Sequence, residues 1–179
     1  LFRSGTVVTL TTTLLSSMGS RFVLPGTGVL MNNGVMWFDP SPNQPNSIAP
    51  GKRPLTNMSP IILKDGDRPM LAVGASGGRR ILASVAQIMT FVADFGMTLE
   101  QAAHQPRIDV SGPDGCSADI RLPPDVIAAL EADGPTEIVE HGVMPINFAC
   151  PNAILLHADG SRTGISDAAS PWSAAVAQS

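Results

Sequence analysis

The chain contains no tyrosine, and aromatic residues make up only 4% of it. So few rings leave no stacking platform of the kind that single-stranded nucleic-acid binders need. Charge is sparse as well: 15% of residues are charged and the formal net charge is −4. That balance excludes the basic footprint of a general nucleic-acid or membrane-surface binder. Cysteine occurs only as Cys116 and Cys150, in neither a CxxC nor a zinc-ligand pattern, so both are expected as buried thiols. The three histidines, His104, His141 and His157, form no HxH or HxxxH pair, and no metal site is expected. His104, on a helix, reads as a surface or half-buried residue. No apolar run approaches the length of a membrane span. The first residues lack an initiator Met and the basic region of a signal peptide. Leu1-Phe2-Arg3-Ser4-Gly5 reads as the tail of a hairpin turn feeding a strand, a start expected of a processed subunit or a truncated fragment.

What is present is a hydrophobic fraction of 44% over 179 residues, punctuated by 17 glycines and 16 prolines. This suffices for the core of one domain, or of one large piece of a domain. Thr6 to Leu15, rich in Thr, Val and Leu, predicts a strand. A turn is expected at Gly19-Ser20, and the short apolar run Val29-Leu30-Met31 ends at the turn signal Asn32-Asn33-Gly34. Pro40 to Pro54 carries five prolines and little periodicity, and its polar residues Asn43, Asn46, Lys52 and Arg53 suit a structured site loop. Ile61 to Leu63 and Met70 to Val73, separated by an Asp-Gly signal, predict a β-hairpin. Ile81, Val85, Ile88, Met89 and Val92 recur at helical spacing, and Gly96 ends that helix. Thr98 and Gln101 have capping-box spacing for a second helix, which Pro106 stops. Arg107 to Val110 looks like a strand. Pro123 and Pro124 open a third helix that Gly134 closes, and Glu137 to Glu140 and Ala153 to His157 are further strands. Hairpin-linked strands imply a sheet that is at least partly antiparallel, hence a layered α+β or α/β sandwich rather than a doubly wound parallel sheet.

The densest chemical signal is Val73-Gly74-Ala75-Ser76-Gly77-Gly78-Arg79-Arg80, between an apolar strand and a helix. Three readings are open there. Gly74 to Gly78 spells G-x-S-x-G, a nucleophile elbow, with Asp109 or Asp125 as the acid and His141 or His157 as the base. Alternatively, the N–H groups of Gly77 and Gly78 at a helix start could hold an oxyanion. The third reading is a tight turn that needs positive φ at glycine. Upstream, Lys52-Arg53-Pro54-Leu55-Thr56-Asn57-Met58-Ser59-Pro60 offers cations, hydroxyls and an amide that could bind a carboxylate, or form a solvated surface loop.

Taken in order, Thr11-Thr12-Thr13-Leu14, Gly28-Val29-Leu30-Met31-Asn32-Asn33, Pro50 to Pro60, Gly74 to Arg80, Asp94-Phe95-Gly96-Met97, Ala103 to Arg107 and Gly164-Ile165-Ser166-Asp167 resemble the small subunit of the γ-glutamyltranspeptidase family. The resemblance spans nearly the whole chain. It implies a four-layer αββα sandwich of the N-terminal-nucleophile hydrolase type. It also implies a precursor that cuts itself into large and small subunits, and no cofactor. A threonine freed at the small subunit's N-terminus would attack a γ-glutamyl or related acyl amide, its own α-amino group acting as base, and the acyl group would pass to water or an amino acid. Gly77 and Gly78 become the oxyanion-hole glycines and Thr13 the threonine that supports the nucleophile. Thr56 and Asn57 fall where the family has a serine pair near the substrate carboxylate, and Asn33 falls among the substrate-binding positions. Under this resemblance Ser76 is a neighbour of the hole.

The chain departs from the family pattern at three places. The nucleophilic threonine motif is expected a few residues before Leu1, and Thr6, Thr9 and Thr11 do not replace it. Leu15 stands where the family has a substrate-binding asparagine. Gly34 and Trp37 stand where a glutamine and an aspartate hold the substrate's amino group, and Asp39 is offset. Losing that carboxylate removes the counter-charge for an ammonium, so an indole there favours an uncharged or aromatic acyl group, as in a cephalosporin-acylase-like amidase. The expected partners are a large subunit carrying a carboxylate-binding arginine and a small-molecule amide, with no nucleic acid and no membrane span. A serine hydrolase using Ser76 and an inactive fragment are the alternatives.

Overall fold

A computed structural model describes residues 5–143 and 146–176. It divides into two units, Thr12–Thr56 and the remainder, Leu1–Thr11 with Asn57–Ser179. The expected hairpin tail at Leu1 to Ser4 lies outside the described residues.

In the smaller unit, β1 (Val23–Leu24) pairs antiparallel with β2 (Val29–Leu30), and a 3-10 turn covers Gly34–Trp37. The turn at Gly19 forms as expected, with φ +51 and its N–H donating to Ser16 O at 2.8 Å. The proline-rich stretch is a loop without regular elements beyond a bridge between Asp39 and Ser47. Asn46 organises it. Its side-chain amide donates to Trp37 O at 2.6 Å, and its Oδ1 accepts from Leu55 N–H at 2.9 Å.

In the larger unit, β3 (Ile61–Asp65) and β4 (Arg68–Ser76) form the expected hairpin. The two loop residues are Gly66 and Asp67 rather than an Asp-Gly pair, with Gly66 at φ +58. α1 (Ile81–Ala93) follows, then α2 (Leu99–His104), β5 (Ile108–Asp109), β6 (Cys116–Asp119), α3 (Pro124–Asp133), β7 (Thr136–Val139), β8 (Cys150–Leu156) and β9 (Arg162–Ser166). The principal sheet has the order β3-β4-β8-β9 and is antiparallel throughout. A second sheet, β5-β6-β7, joins β6 and β7 in parallel.

The core lies between one face of the principal sheet and the first two helices. Leu71, Val73 and Ala75 project to one side of β4 because side chains alternate along a strand. They meet Ile81, Val85, Ile88 and Val92 of α1 and Leu99 and Ala102 of α2, with Met89 packed at the margin. Thr98 and Gln101 close a reciprocal capping box at the start of α2. That helix ends at His104 because Gln105 precedes Pro106 and adopts extended backbone.

The expected strand over Thr6 to Leu15 does not form among the described residues. Threonine and valine give a strand-like composition, but composition supplies no partner, and among the described residues the segment joins none of the three sheets. Thr9 Oγ1 instead donates to Val73 O at 3.2 Å.

Candidate active site

The glycine turn is built by the end of β4. That strand stays paired with β8 as far as Ser76 opposite Cys150. Gly77 at φ +146 and Gly78 at φ +64 then swing the chain into a 3-10 turn, Gly78–Arg80, continuous with α1. L side chains rarely adopt either φ. Gly77 also lacks room: a Cβ there would lie 2.6 Å from Ala149 Cα and 2.7 Å from Ala149 Cβ. Gly78 has nothing within 4 Å of that position. Residues 76 to 80 are exposed, and no side chain caps the start of the 3-10 turn or of α1. Uncapped N–H groups at the positive end of a helix suit an anion or a developing oxyanion.

The groups a serine elbow would need are not joined to one another. β4 is flanked by antiparallel neighbours, whereas an elbow follows a parallel strand. His157 pairs with Thr163 Oγ1 at 2.8 Å, and Asp125 is exposed in the first turn of α3. Asp109 is buried and accepts from Ser111 Oγ at 2.8 Å. Among the described residues, no hydrogen bond connects Ser76 with His141 or His157.

A buried polar network lies behind the glycine turn. Arg107 Nη2 donates to Asp167 Oδ2 at 2.7 Å, and Arg107 Nη1 donates to Ser84 Oγ at 3.2 Å. Ser84 Oγ in turn donates to Ala149 O at 3.4 Å. Asp167 Oδ1 accepts from Ala169 N–H at 2.8 Å and faces His141 Nε2 at 3.4 Å. His141 Nδ1 accepts from Phe148 N–H at 3.3 Å, which places the ring proton on Nε2. The side chains of Arg107, Asp167 and His141 are 3%, 2% and 5% exposed, so water does little to screen them. Burial opposes ionisation of Asp167, but hydrogen bonds from His141 and Arg107, the Arg107 charge and the Ala169 amide outweigh it and lower its pKa to about 2. A second pair, Asp119 with Arg121, meets at 2.6 Å; burial again opposes ionisation, and the Arg121 hydrogen bonds outweigh it.

Ligand atoms of His141, Cys150 and Asp167 lie within 4.8 Å of one another. Their chemistry is poorly suited to a cation. Both oxygens of Asp167 are already engaged, and the Arg107 guanidinium sits on one of them. Burial and the Asp167 charge push the Cys150 thiol up, away from the thiolate a metal binds. Cys150 is buried, as expected, whereas Cys116 is only partly so; both are free.

The other expected site residues fall in both units. Gly77, Gly78 and Asn57 belong to the larger, and Thr13, Asn33, Trp37 and Thr56 to the smaller. Asn57 Oδ1 is buried and accepts no hydrogen bond among the described residues. Thr13 Oγ1 accepts from Leu15 N–H at 3.0 Å. Thr12, Thr13, Leu14, Val29, Leu30, Met31 and Asn32 line an open cavity of about 440 Å³. Asn33 is engaged locally: its Oδ1 accepts from Ser16 N–H at 3.1 Å, and its amide donates to Ser16 Oγ at 2.8 Å. Trp37 is half-buried, and a Cβ on Gly34 would come within 3.2 Å of its indole. His104 is exposed and its Nδ1 is bonded to Glu100 O at 2.9 Å.

Sequence reasoning missed the Arg107–Asp167–His141 network as a unit. Its members are far apart in the chain, and no local pattern links them. The only available signal was an arginine and an aspartate inside the family-like segments ending at Arg107 and Asp167.

A family model described as Gamma-glutamyltranspeptidase matches residues 2–177. The chain belongs to the γ-glutamyltranspeptidase family. It is 34% identical over 166 residues to a glutathione hydrolase proenzyme of Bacillus subtilis (strain 168), covering 92% of this chain and 28% of that protein. It is 37% identical over 163 residues to the acylase ACY 1 proenzyme of Pseudomonas sp. (strain SE83), covering 89% and 28%. The chain therefore spans about 28% of the length of these curated relatives. Among solved structures, γ-glutamyltranspeptidase from Pseudomonas nitroreducens, complexed with L-DON, matches with a TM-score of 0.80 at 28% identity, over 99% of this chain and 97% of that one. A highly active tryptophan-to-aspartate mutant of the same enzyme matches with a TM-score of 0.79 at 28% identity, over 100% and 97%. The fold is thus the α+β fold of γ-glutamyltranspeptidase structures, of the N-terminal-nucleophile hydrolase type. No helix among the described residues is long and apolar enough to cross a membrane.

Proposed function

We propose that residues 1–179 form the small-subunit region of a γ-glutamyltransferase- or glutathione-hydrolase-like enzyme, with Gly77 and Gly78 supplying the oxyanion donors. The observation that carries this reading is the uncapped glycine turn at the start of α1, with positive φ at both residues, in a chain matched by the family over 2–177. The curated relatives are proenzymes several times longer than this chain. By this reading the rest of the precursor supplies the nucleophilic threonine, its α-amino base and the large subunit with its carboxylate-binding arginine. The threonine oxygen adds to the amide carbonyl, and the resulting oxyanion meets the N–H groups of Gly77 and Gly78. Collapse of the intermediate breaks the C–N bond, and the base's proton goes to the departing amine. Water or an amino acid then takes the acyl group from the threonine ester. Each aligned donor contributes about 3 kcal/mol to the barrier reduction. Thr13 supports the nucleophile, and Thr56, Asn57 and Asn33 bind substrate.

Trp37 favours a second reading, an acylase-like substrate range. An indole supplies no charge for a substrate ammonium, so neutral or aromatic acyl groups gain relative to γ-glutamyl. Kinetics of the complete two-subunit protein on γ-glutamyl and neutral acyl p-nitroanilides test both readings. Under the acylase-like reading the neutral substrate shows the higher kcat/KM, and Trp37→Asp shifts selectivity toward γ-glutamyl by about tenfold or more, the worth of a new charge-assisted hydrogen bond. A higher kcat/KM on the γ-glutamyl substrate removes the acylase reading. Mass spectrometry of the trapped acyl-enzyme is expected to find the adduct on a chain-terminal threonine; full loss of activity in Ser76→Ala would instead return the nucleophile to Ser76.

A further inference from the structure

We propose that the buried Arg107–Asp167–His141 chain, with Ser84, is a positioning device for the glycine turn. The inference rests on the oxyanion role given above to Gly77 and Gly78. Gly77 is seated directly on Ala149, so closely that no Cβ fits between them. The position of the turn is therefore set by the position of the 148–149 backbone. Two hydrogen bonds from the network hold that backbone, one at each residue. Phe148 N–H is held by His141 Nδ1, and Ala149 O is held by Ser84 Oγ. The two anchors are joined behind the backbone, because His141 faces Asp167, Asp167 pairs with Arg107, and Arg107 donates to Ser84. Ser84 lies on α1, the helix that the glycine turn opens. The network thus closes a ring that clamps the seat of Gly77 to the helix that follows it. His141 is further fixed by an edge contact with Phe148, with centroids 5.4 Å apart.

The chemistry suits a rigid support. Arg107 and Asp167 balance each other's charge, and every named polar atom of the ring has a partner within it. A satisfied buried network holds its geometry, and oxyanion donors lose their effect when displaced by a fraction of an ångström. His141, Asp167, Arg107 and Ser84 are positioning residues: they act on the reacting oxygen only through Ala149 and Gly77.

The test uses the complete protein with its two parts co-expressed as separate chains, so that self-cleavage is not required. Turnover is normalised to active sites titrated by the acylation burst. His141→Phe fills the space but can neither accept from Phe148 nor donate to Asp167. It is expected to lower kcat by about 10- to 100-fold per titrated site, with KM changed less than about threefold. His141→Asn, whose amide oxygen can take the place of Nδ1, is expected to restore most of that loss. Ser84→Ala removes one hydroxyl from a helix that folds readily with alanine, and it is expected to lower kcat by about threefold to tenfold. Should His141→Phe fail to fold, Ser84→Ala and His141→Asn carry the comparison. Variants that melt earlier but keep the parent's kcat per titrated site overturn the positioning role and leave the functional reading intact. A parent without amide turnover or an acyl-threonine overturns that reading, and the positioning role with it.

Discussion

Gly77 and Gly78 share left-handed backbone but not surroundings, and the difference is testable. Gly78 faces open space, so Gly78→Ala costs only the torsional penalty of a side chain at φ +64, about 1 kcal/mol. Gly77→Ala adds a collision with the Ala149 backbone, which cannot rotate away as a side-chain end could. The expected cost is about 3 kcal/mol or more. Urea unfolding of the two variants should show a small midpoint shift for Gly78→Ala and a large one, or failure to accumulate, for Gly77→Ala. Similar shifts would mean that the seat on Ala149 is soft. Trp37 carries the other decision at this scale under the acylase-like reading proposed above, in which its indole leaves a substrate ammonium without a counter-charge.

Among the elements, α2 is short, and its start depends on a reciprocal cap. Thr98 Oγ1 accepts from Gln101 N–H at 3.2 Å, and Gln101 Oε1 accepts from Thr98 N–H at 2.9 Å. Thr98→Ala is expected to cost about 1 kcal/mol. It should also speed hydrogen exchange at the Gln101 amide, while exchange in the middle of β4 stays slow. The contrast with residues 6 to 15 is instructive. A helix cap is satisfied within four residues, so its sequence signature is reliable. A strand is completed by a distant edge, and composition alone does not say whether one is free.

For the whole molecule, the Arg107–Asp167 pair joins the start of the second sheet to the segment after β9, with both partners out of water. The fold lowers the Asp167 pKa to about 2 from an ordinary value of 3.8. The carboxylate is thus the form the fold prefers. Its stabilisation is present above about pH 4 and is lost as pH falls toward 2. The linkage is about 2.5 kcal/mol, from about 1.4 kcal/mol for each pKa unit. Circular dichroism across that pH window should show stability falling with acid in the parent and a flatter dependence in Asp167→Asn. At neutral pH the variant should be less stable by about 3 kcal/mol or more, because Arg107 is left buried beside a neutral amide. An unchanged acid limb in Asp167→Asn would assign the limb to other carboxylates.

The sequence by itself determined what depends on near neighbours. The hairpin from Ile61 to Val73, the apolar stripe of α1, the Thr98 cap, the proline-opened α3 and the need for glycine at 77 and 78 were all legible, because each is fixed by residues a few positions apart. The family-like segments carried the fold and the expected site residues as well. Only the tertiary structure decided that Thr6 to Leu15 finds no ladder, that β6 and β7 pair in parallel, and that Gly77 rests on Ala149. It alone brought Arg107, His141 and Asp167 into one buried network. Those outcomes depend on which edges and volumes remain once the sheet and helices have packed, and no local pattern encodes that.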